Sequence, residues 1–170
     1  MVSSYLRMRC PLEEAMARYG RWIGKPEIAP PQLVPARDRI DLALADEQWL
    51  GLAVFIYASE PWTVFEELSG GLAENAEDRW IELAADGDLV YTGYNDAVSY
   101  AEILIVQQGQ LVRHIIRDEA DPSADTDVGR LPEETKKPFG DWIDVTAWVE
   151  EDEDKLARAE EGWLWIHRTE

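Results

Sequence analysis

Leu12, Ala15, Met16, Tyr19 and Ile23 recur at three- and four-residue spacing, and Glu13, Glu14, Ala17, Arg18 and Arg21 fill the opposite face. That period predicts an amphipathic helix, opened by Pro11 and stopped by Gly24 and Pro26. Lys25 to Arg37 carries Pro26, Pro30, Pro31 and Pro35, which predicts an extended strap. From Ile40 the period changes to two: Ile40, Leu42 and Leu44 alternate with polar Asp41, predicting a half-buried strand. Trp49 to Ala58 is apolar on both faces, as a central strand is, and Ser59-Glu60-Pro61 turns the chain into a further strand, Trp62 to Glu66.

Ser69-Gly70-Gly71 breaks this meander before Asn75, the expected N-cap of a helix that buries Ala76, Trp80, Leu83 and Ala84 and ends at Gly87. Leu89 to Tyr94, Val98 to Val106 and Leu111 to Ile116 predict three more strands, joined at Asn95-Asp96 and Gln108-Gly109. Residues 117–140 then hold seven acids, three prolines and no apolar period. A loop of that length in a compact domain is either functional or mobile. Asp141 is placed to cap a helix carrying Trp142, Val145 and Val149. The tail from Lys155 to His167 reads both ways. Leu156, Ala159 and Trp163 have helical spacing, whereas Trp163, Trp165 and His167 alternate like a strand.

These elements predict an α+β fold, one antiparallel or mixed sheet of about six strands with helices packed on it. The expected organisation is a single domain. Its parts are a helix and strap at 1–37, a sheet core at 38–116, an acidic loop at 117–140 and a helical region at 141–170.

Composition changes the picture mainly through charge. The chain holds 35 acids against 16 bases, a net charge of −19. Residues 1–45 carry five of those acids and seven of the bases, so the whole negative excess lies downstream. Such a field disfavours direct binding to nucleic acid or anionic membrane and favours basic proteins. The expected contact residues are the loop acids Asp118, Glu119, Asp121, Asp125 and Asp127 and the run Glu150, Glu151, Asp152, Glu153 and Asp154. A solvating surface is the plainer reading of the same charges. Trp62, Trp80, Trp142 and Trp148 are expected as core anchors, with one or two available to an interface.

No motif for chemistry assembles. One cysteine, Cys10, and two histidines, His114 and His167, give neither a disulfide framework nor a zinc pattern. Ser69 lacks the glycine two residues upstream that a nucleophile elbow needs. Nothing in the spacing supplies His114 or His167 with an orienting carboxylate, so structural or surface histidines are expected. The loop aspartates fail the calcium-loop template, because position six after Asp121 or Asp125 is not glycine. No cofactor is expected. Without a leader-like apolar core or a run of about 18 uncharged apolar residues, a cytoplasmic protein is expected.

Three stretches carry a resemblance: Trp62-Thr63-Val64-Phe65-Glu66, Leu89-Val90-Tyr91-Thr92-Gly93-Tyr94-Asn95-Asp96, and Asp141-Trp142-Ile143-Asp144. Together they resemble small bacterial proteins of uncharacterised function, some of which look like immunity proteins of polymorphic-toxin and type VI secretion loci. The similarity spans roughly residues 38–154 and assigns no catalytic residue. It implies a compact cytosolic protein that neutralises a cognate effector, often a basic nuclease, by covering its active site. A hydrolase with a carboxylate or histidine site, and an acidic scaffold or nucleic-acid mimic, are the competing expectations.

Overall fold

In the computed structural model, which describes residues 2–73 and 75–170, the chain forms β1 (Val2–Met8), α1 (Leu12–Ile23), β2 (Glu27–Pro35), α2 (Arg39–Leu42), β3 (Leu44–Ala45), β4 (Gln48–Trp49), β5 (Leu52–Ser59) and β6 (Trp62–Glu67). It continues through α3 (Glu77–Ala84), β7 (Leu89–Asn95), β8 (Tyr100–Gln107), β9 (Gln110–Asp118), β10 (Thr126–Gly129), α4 (Trp142–Glu153) and β11 (Glu161–His167). The fold is α+β. Its main sheet has nine strands, however, in the order β10-β9-β8-β7-β1-β6-β5-β11-β2, and every neighbouring pair is antiparallel.

Four of the nine strands, β1, β2, β10 and β11, come from segments whose pattern points elsewhere. β1 lies at the centre of the sheet, between β6 and β7, although Arg7 and Arg9 interrupt its apolar run. Arg7 tolerates that place because its guanidinium donates to Asp152 Oδ2 of α4 at 2.6 Å. The proline strap is extended as expected, and it also pairs with β11 as the edge strand β2. Pro30, Pro31 and Pro35 have no N–H to offer, which suits an edge and blunts its pairing with another chain. The tail resolves into β11, inserted between β5 and β2, so the region 141–170 is a helix followed by a strand.

Two local expectations are overturned. Residues 40–43 do not form a strand: a 3-10 turn at Ala36–Asp38 leads into α2, Ile40 and Leu42 stay exposed, and only Leu44 enters a strand, the two-residue β3. Arg39 fixes this turn by donating to Ala36 O at 2.6 Å while its Nε and Nη2 grip both oxygens of Glu66 at 2.8 and 2.7 Å. An alternation of three apolar residues is too short to outweigh that pairing. Asn75 does not cap α3; its side chain donates to Leu72 O at 2.8 Å, and the cap position falls to Ala76.

Asp141 does cap α4, accepting from the Ile143 and Asp144 N–H groups at 3.0 and 3.3 Å. Asp141→Ala should therefore cost about 1 kcal/mol in urea denaturation. A cost near zero would show that α4 is held by packing alone.

Helices α1 and α3 cover one face of the sheet. There Trp80 stacks between Trp22, at 5.2 Å, and Tyr91, at 4.7 Å, within a cluster that includes Leu6, Met8, Tyr19 and Phe65. On the other face α4 lies across β7, β8 and β9, burying Val145 and Val149 against Val90, Ile103 and Ile115. Trp80 is a core anchor; Trp62, Trp142 and Trp148 are half-buried at the margins of that second layer.

Residues 117–140 are ordered by arginines. Arg113, buried on β9, binds Glu134 through Nε and Nη2 at 2.9 and 2.8 Å, and its Nη1 reaches Asp127 at 2.7 Å and Val128 O at 2.9 Å. Arg117 donates to Gly140 O, Thr126 O and Asp127 at 2.8, 3.1 and 2.8 Å. These bonds hold β10 on the sheet edge and tie the far end of the loop to the start of α4.

Candidate interaction surface

The strand register gathers the start of β1, the β7–β8 turn and the end of β9 at one end of the sheet. Val2 pairs with Asn95, Asn95 with Tyr100, and Tyr100 with Asp118. Helix α4 crosses the same end. Its N-terminus is joined to β9 by the Arg117–Gly140 bond, and its C-terminus to β1 by Ser3 Oγ donating to Glu153 at 2.6 Å.

Three apolar side chains stand out there: Val2 at 68%, Val98 at 50% and Ile143 at 59% exposure. Three concavities surround them. One of about 400 Å³ lies between Asp118, Glu119 and the first turn of α4, including Ile143. A second of about 280 Å³ runs past Val2, Val98, Tyr100 and Asp118 on the α1/α3 face. A third of about 550 Å³ lies on the α4 face between Tyr5, Tyr57, Tyr94, Glu150 and Glu153.

The carboxylates that the sequence singles out divide into two kinds. Asp127 is spent on Arg113, Arg117 and Arg130, at 2.7, 2.8 and 2.5 Å. Partial burial works against its charge, yet the arginines win and hold its pKa down to about 2. Asp152 is buried against Arg7. Asp125 accepts the Asp118 N–H at 2.9 Å, Asp118 accepts those of Ala120 and Asp121 at 2.9 and 3.1 Å, and Asp121 accepts from Ser123. These groups shape the loop.

Glu119, Glu150, Glu151 and Asp154 are exposed, Glu150 and Glu151 on the last turns of α4 and Asp154 just past its end, and Glu150 also bonds the Tyr94 hydroxyl. Glu153 is half-buried, and burial, joined by the charge of Asp152, pushes its pKa up to about 7 against the pull of the Ser3 and Thr92 hydroxyls. Charge runs mark where acids are. Whether an oxygen is already consumed depends on partners as distant as Arg7.

His114 has the carboxylates that sequence spacing does not supply. Its Nδ1 meets Glu77 of α3 at 2.9 Å and its Nε2 meets Glu102 of β8 at 3.0 Å, while Glu102 also accepts from the Tyr100 hydroxyl at 2.5 Å. The signal is in the hairpin: opposite Leu104, His114 sits diagonally from Glu102 on one face. Burial opposes a charge on the ring, but the two carboxylates outweigh it and raise the pKa. With both nitrogens occupied, the imidazole has no lone pair for a substrate proton, so this is an ionic clamp of α3 onto the sheet.

His167 is buried beside Tyr19 and Trp165. Burial raises the Cys10 thiol pKa despite the neighbouring Arg18, which removes the low-pKa condition for a reactive thiolate. Neither His114 nor Cys10 lines any of the cavities described. Among the described residues no group of His, Cys, Asp or Glu is arranged to hold a metal ion, and no helix is long and apolar enough to cross a membrane.

The chain matches no known family profile, no curated protein and no solved structure.

Proposed function

We propose that the protein is an inhibitory binding protein of the immunity type, which neutralises a basic effector by laying the acid-rimmed end of its sheet over the effector's active site. The observation that carries this reading is the surface itself: exposed Val2 and Val98 line one cavity, with Glu150 and Asp154 beside Val2, and exposed Ile143 lies beside Glu119. Apolar residues ringed by charge are the anatomy of a protein interface, the centre giving affinity and the rim steering encounter. A cationic cleft that binds phosphate is the complementary partner, since carboxylates can occupy it in place of the phosphodiester. A solvating role explains the carboxylates but not three protruding aliphatic side chains beside them.

The test is co-expression with the effector encoded beside the gene. Protection of the cells and a stable complex are the expected results; continued killing with no complex sinks the reading. Glu150→Lys/Glu151→Lys/Asp154→Lys should weaken the complex by at least about tenfold, mostly through slower association. Unchanged affinity would move the interface elsewhere.

A further inference from the structure

We infer that the cleft between β1, β5, β7 and the end of α4 is a receptor for one primary ammonium group, the side chain of a lysine on the basic partner. This deepens the inhibitory reading and depends on it only for the source of the lysine.

The cleft has a volume of about 550 Å³, and Tyr5, Tyr57, Tyr94, Glu150, Glu153 and Arg158 form its walls. Three aromatic rings give the methylene stem of a lysine an apolar lining. At its base the Glu153 carboxylate is bonded by the Ser3 and Thr92 hydroxyls but is not fully satisfied. Oε2 accepts from Ser3 at 2.6 Å, whereas Oε1 is buried without a hydrogen-bond partner. A buried acceptor left unmade is costly, so this atom favours any donor that can reach it. Among the described residues no cation does so: Arg158 makes no ion pair with Glu150 or Glu153, although it lines the same cleft.

The single unpartnered oxygen also decides between the two cationic side chains. Guanidinium recognition gains most from two parallel bonds to a carboxylate edge, and Ser3 already occupies half of that edge. An ammonium is a point donor that needs one oxygen and spreads its other protons over neighbouring hydroxyls. Tyr57 and Tyr94 supply them in neutral form, their pKa values pushed up to about 12, chiefly by burial and next by nearby carboxylate charge.

The site is proton-linked. Glu153 faces Ser3 and Tyr5 on β1, Thr92 and Tyr94 on β7, Tyr57 on β5, Glu150 and Asp152 on α4, Asp154 just past it, and Arg158, with Asp152 itself paired to Arg7. With its pKa raised to about 7, Glu153 is part-protonated at neutral pH. An incoming ammonium favours the charged form and expels the proton, so binding strengthens as pH rises through 7.

The experiment is a titration of the full chain with N-acetyl-lysine methylamide, read in its ¹H–¹⁵N spectrum at pH 6 and pH 8. Saturable shifts of Ser3, Tyr57, Tyr94 and Ala157 are expected, with tighter binding at pH 8. The arginine analogue should bind more weakly. Glu153→Gln, an isosteric change, should weaken the lysine probe about tenfold and abolish the pH dependence. No saturable shift, equal affinity in Glu153→Gln, or an arginine analogue that binds as tightly would each overturn the assignment. If the probe binds as described while the effector is not neutralised, the ammonium site stands and the inhibitory reading falls.

Discussion

Arg113→Ala should destabilise the protein by about 3–5 kcal/mol, because it leaves the Glu134 carboxylate buried without its counter-charge. Arg113 and Glu134 are both buried, and the pair is bidentate at 2.9 and 2.8 Å. Glu134 Oε2 also accepts the Leu131 N–H at 2.6 Å, so the acid is fixed in place and cannot turn to water when its partner goes. Arg113 further holds Asp127 and Val128 O, and its guanidinium lies 5.7 Å from the Phe139 ring, which ties both limbs of the acidic loop to one side chain. Hydrogen exchange should therefore show β10 losing protection before the rest of the sheet. Arg113→Met/Glu134→Leu should recover most of the loss, since replacing both partners removes the stranded charge. A single-variant loss below about 1 kcal/mol in urea denaturation would mean that the loop is held by its backbone bonds alone.

That pair also explains the limits of the sequence reading. Local period was enough for α1, β5 to β9 and α4, whose apolar positions repeat cleanly and whose turns carry Gly, Pro or Asn-Asp signals. It was not enough where a charge on an apolar element is neutralised by a residue far along the chain. Arg7 makes β1 read as an interrupted run until Asp152, 145 positions away, is brought beside it. Arg113 likewise converts a stretch without apolar period into an ordered edge strand. β11 remained ambiguous because Leu156 and Ala159 extend a helical spacing into residues that lie outside any helix.

The candidate surface was legible as charge and not as shape. The loop acids Asp118 and Glu119 lie at the first turn of α4 and the run 150–154 at its far end, but Asp127 and Asp152 are structural and the exposed aliphatic residues are ones no charge count selects. Val98, the lone aliphatic after the Asn95-Asp96 turn, was the available hint. The tyrosine-lined cleft had none, because Tyr5, Tyr57 and Tyr94 sit on three strands whose adjacency only the sheet order reveals.

His114→Ala should cost about 3–5 kcal/mol at pH 6, for it removes a partner from the fully buried Glu102 and releases Glu77 from the sheet. The pH dependence has a definite sign. The folded-state pKa of His114 lies above its ordinary value of 6.5, since the bonds to Glu102 and Glu77 exceed the cost of burial. A raised basic group stabilises fully below the unfolded pKa, and that contribution is lost as pH climbs through the folded pKa. Above it, a neutral ring carries a single N–H and can donate to only one of its two carboxylates. The difference between wild type and His114→Ala should thus shrink from pH 6 to pH 9. Glu153 lowers stability with rising pH in both proteins, as an acid with a raised pKa does between its unfolded value and about 7, and so cancels from the difference. Urea denaturation of both proteins at the two pH values measures it. A difference that stays constant would show a ring neutral at pH 6, acting as a hydrogen-bonding spacer between the two acids.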